Sequence, residues 1–547
     1  MVDKPAKARP ASREGTSPRD PSATSSSADK GSKHSKQPAY NMRQIITIFS
    51  GLMMTMLMSS LGQTIFATAL PTIVGELGGV DKTSWVISAF LVAMTVALPI
   101  SGKLGDRLGR KPVYLTAIVI FLIGSTVGGF AHTMDLLIVG RIIQGLGAGG
   151  LMISSQSIVA EVIPARQRGK FMGIIGAVFG LSSVLGPVLG GWITDGPGWR
   201  WGLWINIPIG LIALVVCVFA LRLRRGERSI AGYDWLGTLF LAIGTTALIL
   251  MTTWGGTEYE WTDPLIWGLG IVFLVAAIIF VFVETRAKYP LIPMRLFKNR
   301  NMTLTTVAGT FMGISMFGVL AYMPTYLQMV HTMTPTQAGL MMIPMMVGVI
   351  GTSTSVGFII SNRGRYKIFP LVGLAIVAVA LLLLSTMSKD TSLVRLGVYL
   401  FIFGFGLGLA VQVLVLIVQN AFPISEVGTA TAANNFFRQI GGAVGASLAG
   451  SLFFHNIQNE MSERLPEAIK QMGPEGAAAA KQLETAGGVD SLTPEAVADM
   501  PAALRDAVLI SYNEGLTPVF QLMVPLVLLA FVAMLPIRED ELKETVD

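Results

Sequence analysis

From about residue 43 the chain is a succession of apolar runs of roughly 20 residues, the length of helix that crosses a bilayer. The runs centre in 45–69, 84–101, 113–131, 136–160, 170–193, 201–222, 234–253, 265–284, 303–327, 336–360, 368–387, 394–419, 428–455 and 515–536. This pattern predicts an all-α polytopic membrane protein of about fourteen spans. Composition agrees: hydrophobic residues make up 52% and charged ones only 13%, where a soluble domain carries about 25% charged residues. One soluble core is excluded. An even number of spans puts both termini on one side.

The loops say which side. GKLGDRLGRK (Gly102–Lys111), PARQRGK (Pro164–Lys170), LRLRRGER (Leu221–Arg228), the stretch Thr285–Arg300 and NRGRYK (Asn362–Lys367) are basic and fall on alternate loops. The loops between them, such as TWGGTEYEWTDP (Thr253–Pro264), are neutral or acidic. By the positive-inside rule both termini are cytoplasmic. The net charge of +7 is therefore loop charge, and nucleic acid is not expected as a partner. Residues 1–42, rich in Ser, Pro, Lys and Arg, read as a disordered cytoplasmic tail, and 537–547 as a second tail. An insert at 456–514 falls outside, with a pattern of short amphipathic helices. A surface for an extracytoplasmic partner is one role for it; a passive helical hairpin is the plainer one. The single Cys217 and four scattered histidines offer no disulfide and no metal site, and no cofactor is expected.

One span is unusually rich in small residues: GIIGAVFGLSSVLGPVLGG (Gly173–Gly191). A helix glycine costs about 1 kcal/mol against alanine, so its repetition asks for close helix packing. Pro187 adds a kink. On this helix alone, a bent pivot and an ordinary glycine interface both stay open. With Gly173, Ser182, Gly186, Pro187, Gly190 and Gly191, the stretch resembles the antiporter signature of the major facilitator superfamily's fifth helix, Ser182 standing where glycine is usual.

GKLGDRLGRK resembles that family's cytoplasmic gating motif at nearly every position. The resemblance implies that Gly102, Gly105, Asp106, Arg107, Gly109, Arg110 and Lys111 lock the cytoplasmic side. SNRGRYK (Ser361–Lys367) looks like a degraded second copy, as two related halves would give. Span 4 carries RIIQGLGAGG (Arg141–Gly150). An arginine within a membrane helix costs at least about 2.5 kcal/mol, so Arg141 should face a cavity or a partner, with Gln144 one turn away on the same face. It resembles the family motif whose arginine is implicated in proton coupling. Glu161 is expected to join Asp106, Arg107 and Arg166 in a charge network that breaks on opening.

LGQTIFATALPTI (Leu61–Ile73), WRWGLWINIPIG (Trp199–Gly210) and YMPTYLQMV (Tyr322–Val330) together resemble the fourteen-span drug:proton antiporter branch. That branch commonly has aspartate where this chain has Gly62, which puts proton stoichiometry and cationic substrates in question. Gln63, Phe66, Gln144, Asn206, Tyr326, Gln328, Gln412, Gln419, Asn434, Asn435 and Arg438 are candidates to line a substrate pocket, and the 28 methionines suit an adaptable apolar cavity.

The resemblance implies the major facilitator fold, two six-helix bundles plus two extra helices. The expected parts are bundles at 43–222 and 301–536, with the extra helices and a cytoplasmic loop at 223–300. The expected activity is secondary active export of amphipathic toxic compounds by proton antiport in the plasma membrane. Arg141, Glu161 and Asp106 are the coupling candidates. Export of a lipid or another endogenous amphiphile is the alternative, favoured by Gly62. An enzyme is not expected, for no HExxH, GxSxG or paired intramembrane aspartates occur. An ATP-driven pump would need GxxxxGK[ST], which is lacking.

Overall fold

The computed structural model describes residues 41–79, 82–223, 226, 232–256, 258–472, 496–497 and 499–542. The expected tail at 1–42 lies almost entirely outside the described residues, as do 473–495 of the insert and the last five residues.

Every expected span coincides with a helix. In chain order these are α1 (Met42–Leu77), α2 (Thr83–Leu108), α3 (Arg110–Gly129), α4 (Met134–Val162), α5 (Ala165–Asp195) and α6 (Trp201–Ala220). Then come α7 (Trp235–Trp254), α8 (Pro264–Arg286), α9 (Arg300–Val330), α10 (Pro335–Arg363), α11 (Ile368–Leu384), α12 (Leu393–Ala421), α13 (Ile424–Gln471) and α14 (Ala502–Met534). Among the described residues, 12 helices are long and apolar enough to cross a membrane. The other two are α5, some of whose residues lie outside the described ones, and α11, which is apolar but only 17 residues long.

Caps fix the helix starts where the sequence offers an acceptor. The side chains of Thr133, Asp234, Asp263, Asn299 and Ser392 each accept an N–H from the first turn of the following helix. Thr334 and Gln337 form a full capping box.

Helices α1–α6 pack among themselves, as do α9–α14, and the two sets meet along α2 with α13 and α5 with α10. The extra pair lies outside them. α7 leans on both α2 and α13, so it touches both sets, while only 11% of the apolar window of α8 is buried. The apolar face of α8 is left for lipid.

The insert differs from expectation. Two of its expected short helices are extensions of the flanking spans, because α13 runs on to Gln471 and α14 begins at Ala502. The buried stripe of Phe453, Ile457, Met461, Leu465 and Ala468 continues helical spacing past the membrane, so nothing stops the helix. Forty-eight residues span about 72 Å at 1.5 Å each, more than twice a hydrocarbon core of about 30 Å. Arg464 ties the stalk, reaching Glu460 at 2.8 Å and Glu514 of α14 at 2.6 Å.

Candidate functional site

The turn between α2 and α3 pivots on Gly109, whose φ of +96° disfavours a side chain. That turn aims the end of α2 at the start of α13. Asp106 accepts hydrogen bonds from Gly428 N (3.0 Å), Thr429 N (2.6 Å) and Thr429 Oγ1 (2.8 Å). Gly428 and Thr429 are the fifth and sixth residues of the helix, so the carboxylate sits on its second turn, toward the positive end of the helix dipole. Arg110 holds the arrangement from the other side. It donates to Ser157 O at 2.7 Å and Ile424 O at 2.5 Å, and lies 3.3 Å from both Asp106 and Glu161. All three charged side chains are buried.

Arg110 thus takes the central place, while Arg107 stacks over the Tyr289 ring at 4.2 Å and Arg166 donates to the carbonyls of Ser361 and Asn362 in the second copy. Lys111 caps the end of α6 through Val218 O and Leu221 O, both at 2.7 Å. Gly102 lets α2 meet α13, for a methyl there would lie 2.7 Å from Gly428 O. Gly105 carries no comparable crowding. A cleft of about 620 Å³ opens beside this cluster, lined by Lys103, Arg107, Glu161, Tyr289, Arg295 and Glu426 among others.

The second copy also turns on a glycine of positive φ, Gly364 at +73°, but Ser361 replaces Asp106. The acid comes from elsewhere: Glu539, beyond α14, accepts from Tyr366 N (2.6 Å) and Lys367 N (3.1 Å). Burial pushes the Tyr366 phenol up to about 12.

Arg141 is interior, 1% exposed. Nε donates to Val86 O (3.1 Å), and Nη1 to Gly62 O and Gln144 Oε1 (both 2.7 Å). Gln144 passes the chain on to Ser125. The guanidinium lies between the rings of Phe66 and Phe90, 4.4 and 4.2 Å from their centroids. Its Nη2 is buried with no hydrogen-bond partner. The arginine therefore binds span 1 at Gly62, the position where the resemblance led us to look for an aspartate.

Helix α5 uses its small residues on two fronts. A methyl on Gly173 would collide with the Ser353 backbone, and one on Gly169 would lie 3.0 Å from Gly357 O, so backbones of the two helix sets come close. Further along, a methyl on Gly186 would collide with Thr64 of α1, and Thr64 Oγ1 donates to Ser182 O at 3.2 Å. Gly190 O accepts from Thr194 Oγ1 at 2.5 Å, and Gly191 is uncrowded. The helix continues through position 187; the side chain of Pro187 lies outside the described residues.

Between these contacts lies a central cavity of about 70 Å³, bounded by both helix sets. Met56, Met152, Met316, Met345 and Met346 line it, with Gln156, Ser353, Gln412, Gln439 and Arg438 as its polar groups. No carboxylate is among its lining residues. Drug-sized ligands occupy roughly 300–1,000 Å³, so the cavity is contracted.

Of the eleven pocket candidates, Gln412 and Arg438 line this cavity; Arg438 Nη2 donates to Asn435 Oδ1 at 2.6 Å, and Gln419 Nε2 to Gln156 O at 3.3 Å. Phe66 and Gln144 belong to the Arg141 cluster, and Gln63 is half-buried on α1. Asn206 donates back to Gly202 O at 3.2 Å, Gln328 to Pro324 O at 3.2 Å, and Asn434 to Thr306 Oγ1 at 3.4 Å. Tyr326 OH donates to Asn513 at 2.9 Å. Sequence reasoning missed Gln156 and Gln439; the pair Met152 and Gln156, one turn apart, was the available signal.

Comparisons with known proteins agree with this architecture. Residues 52–446 match the family model described as "Major Facilitator Superfamily". An uncharacterized MFS-type transporter of Mycobacterium tuberculosis (strain ATCC 25618 / H37Rv) is 39% identical over 501 residues, 91% of this chain and 70% of that protein. The multidrug transporter protein MdtP of Bacillus subtilis (strain 168) is 35% identical over 480 residues, covering 86% of this chain and 88% of the relative. Among solved structures, the human organic anion transporter MFSD10 superposes with a TM-score of 0.60 at 17% identity, covering 89% of this chain and 99% of that one. At that identity the likeness shows the fold alone.

Proposed function

This chain belongs to the major facilitator superfamily, as a multi-pass membrane transporter and not an enzyme, and we propose that it exports amphipathic toxic compounds in exchange for protons. The observation that carries this reading is the charge lock across the two helix sets: Asp106 on the second turn of α13, with Arg110 and Glu161 behind it. A lock on one side and a contracted cavity in the middle fit a transporter that alternates access. The relatives named as multidrug transporters support the substrate class.

On this reading 43–222 and 301–536 are the rocking bundles, 223–300 holds the extra helices, and α5 is the pivot. Arg141, with the Asp106–Glu161 network, couples proton movement to the change of state. The locked side is cytoplasmic, because it carries the basic loops, and the site of action is the plasma membrane.

Export of a lipid or another endogenous amphiphile is the second reading, favoured by a cavity whose lining includes Arg438 and no carboxylate. Such a cavity suits neutral or anionic molecules better than cations. A methyl on Gly62 would lie 3.6 Å from Gln144 Nε2, so Gly62→Asp would set a carboxylate beside Arg141.

The test uses proteoliposomes with an imposed pH gradient and a lipophilic fluorescent cation, comparing the natural chain, Arg141→Ala and Gly62→Asp. Gradient-driven cation movement lost in Arg141→Ala supports the first reading. Movement only in Gly62→Asp supports the second. No response in either form removes the case for cation antiport.

A further inference from the structure

The geometry points to a protonation site on the extra helix pair: Asp234 and Glu284 share one proton, and its presence holds a strap across the lock. This goes beyond the proposed export reaction and does not depend on it.

The carboxylate of Asp234 starts α7. Its Oδ1 accepts Gly237 N at 2.7 Å, while its Oδ2 is buried with no hydrogen-bond partner. The residue is 8% exposed. Glu284 ends α8 and is 3% exposed. Each of its oxygens accepts one backbone amide, Leu291 N at 2.9 Å and Ile292 N at 3.1 Å. Both side chains face the same small space, for a methyl on Gly237 would collide with Asp234 Oδ2 and lie 2.9 Å from Glu284 Oε1.

Two ionised carboxylates buried together repel, and an acceptor left without a donor adds its own cost. A single proton removes both defects. Taken up from solution, it sits on Asp234 Oδ2 and is donated toward Glu284 Oε1, leaving one negative charge on the pair. Lys103 of α2 and the Tyr233 phenol are the other titratable groups facing the pair. Lys103 also faces Asp106, Arg295 and Glu426. The chain's other buried lock carboxylates, Asp106 and Glu161, already have Arg110 as counter-charge.

Glu284 does mechanical work through those two amides. They belong to the segment after α8, which carries Tyr289 under Arg107 and Arg295 on Glu426 at 2.7 Å. That segment is a strap from the extra helices over the gate, ending on the first turn of α13. With the proton present, the pair is a hydrogen-bonded clamp. With the proton lost, repulsion loosens Glu284 and the strap with it, so alkaline cytoplasmic pH weakens the lock.

The test is infrared difference spectroscopy of the full-length protein in membranes, titrated from mildly acidic to alkaline pH. A spin-label distance between Lys288→Cys and Ser425→Cys is followed over the same range. The expected result is a protonated-carboxyl band in the natural chain at neutral pH, lost in both Asp234→Asn and Glu284→Gln. The label distance should lengthen as that band titrates. Asp234→Asn, which can donate permanently to Glu284, should keep the strap closed at every pH. Absence of the band at neutral pH, or its survival in both variants, overturns the site. A label distance indifferent to pH in the natural chain overturns the strap. Neither readout needs transport, so failure of the export reading leaves this result standing, and the reverse.

Discussion

At the scale of single residues, Arg141 shows why chemistry and geometry must be read together. Its guanidinium reaches two carbonyls on different helices while lying flat between Phe66 and Phe90. A lysine keeps the charge but has neither the planar fork nor the stacking face. Arg141→Lys should therefore fold yet transport at least about tenfold more slowly, a barrier change of about 1.4 kcal/mol; initial rates in proteoliposomes check this. At the end of α1, Glu76 accepts Arg200 Nη1 at 2.6 Å and Trp199 Nε1 at 2.7 Å. Those bonds, Arg200 first, hold its carboxyl below the usual range. Its contribution is then full above the ordinary carboxylate pKa and fades as pH falls through the lowered one. Because the pair is half-exposed, it is worth no more than about 1 kcal/mol. Glu76→Gln should lower the melting temperature slightly at neutral pH and not at all in strong acid. The interior placement of Arg141 was legible from the cost of a charge in lipid. Its partners were not, since a backbone carbonyl carries no sequence signal.

At the scale of helices, the glycines divide by what they touch. Gly169 and Gly173 of α5 and Gly102 of α2 lie where backbones of the two sets meet. Gly351 of α10 has nothing within 4 Å. Gly102→Ala should fold but fail to close the locked side, because a methyl collides with Ala432 and nears Gly428 O. A reporter cysteine at Gln439 should then react with a membrane-impermeant reagent from the cytoplasmic face, about tenfold faster or more. Gly351→Ala should leave that rate unchanged. The antiporter-like string predicted close packing for α5, and close packing is found. Which glycines face the other set and which face α1 depends on helix rotation, and a helix with small residues all round leaves that rotation unspecified. The long stalk of α13 and α14 was misread for a related reason. Polar residues on one face masked an apolar stripe that continues the helix unbroken.

At the scale of the whole molecule, the proposed export makes the Asp106 cluster a balance between two packings of the same helices. Hydrogen bonds to a charged group contribute about 1.5–3 kcal/mol each, and Asp106 accepts three from α13. Asp106→Asn retains part of this set and should shift the population toward the cytoplasm-open form by at least about tenfold, or about 1.4 kcal/mol. Spin-label distances between α2 and α13 measure the shift directly. Gly351→Ala is the control expected to leave the distance distribution alone.

The sequence by itself determined the fold class, the helix positions, the alternation of charged loops and the string that carries the Asp106–Arg110 cluster. Each of these follows from local composition: runs long enough for a bilayer, basic turns, and a motif whose members lie within ten residues. Only the tertiary structure decided that Arg110 bridges Asp106 and Glu161, that Gln412 and Arg438 are the pocket candidates that line the cavity, and that Asp234 and Glu284 face one small space. These are pairings across 50 to more than 300 positions of chain. They depend on how helices rotate and which sides touch, and in lipid apolar surface gives little preference among such rotations. Small residues and buried polar contacts make that choice, and those appear only once the helices are packed.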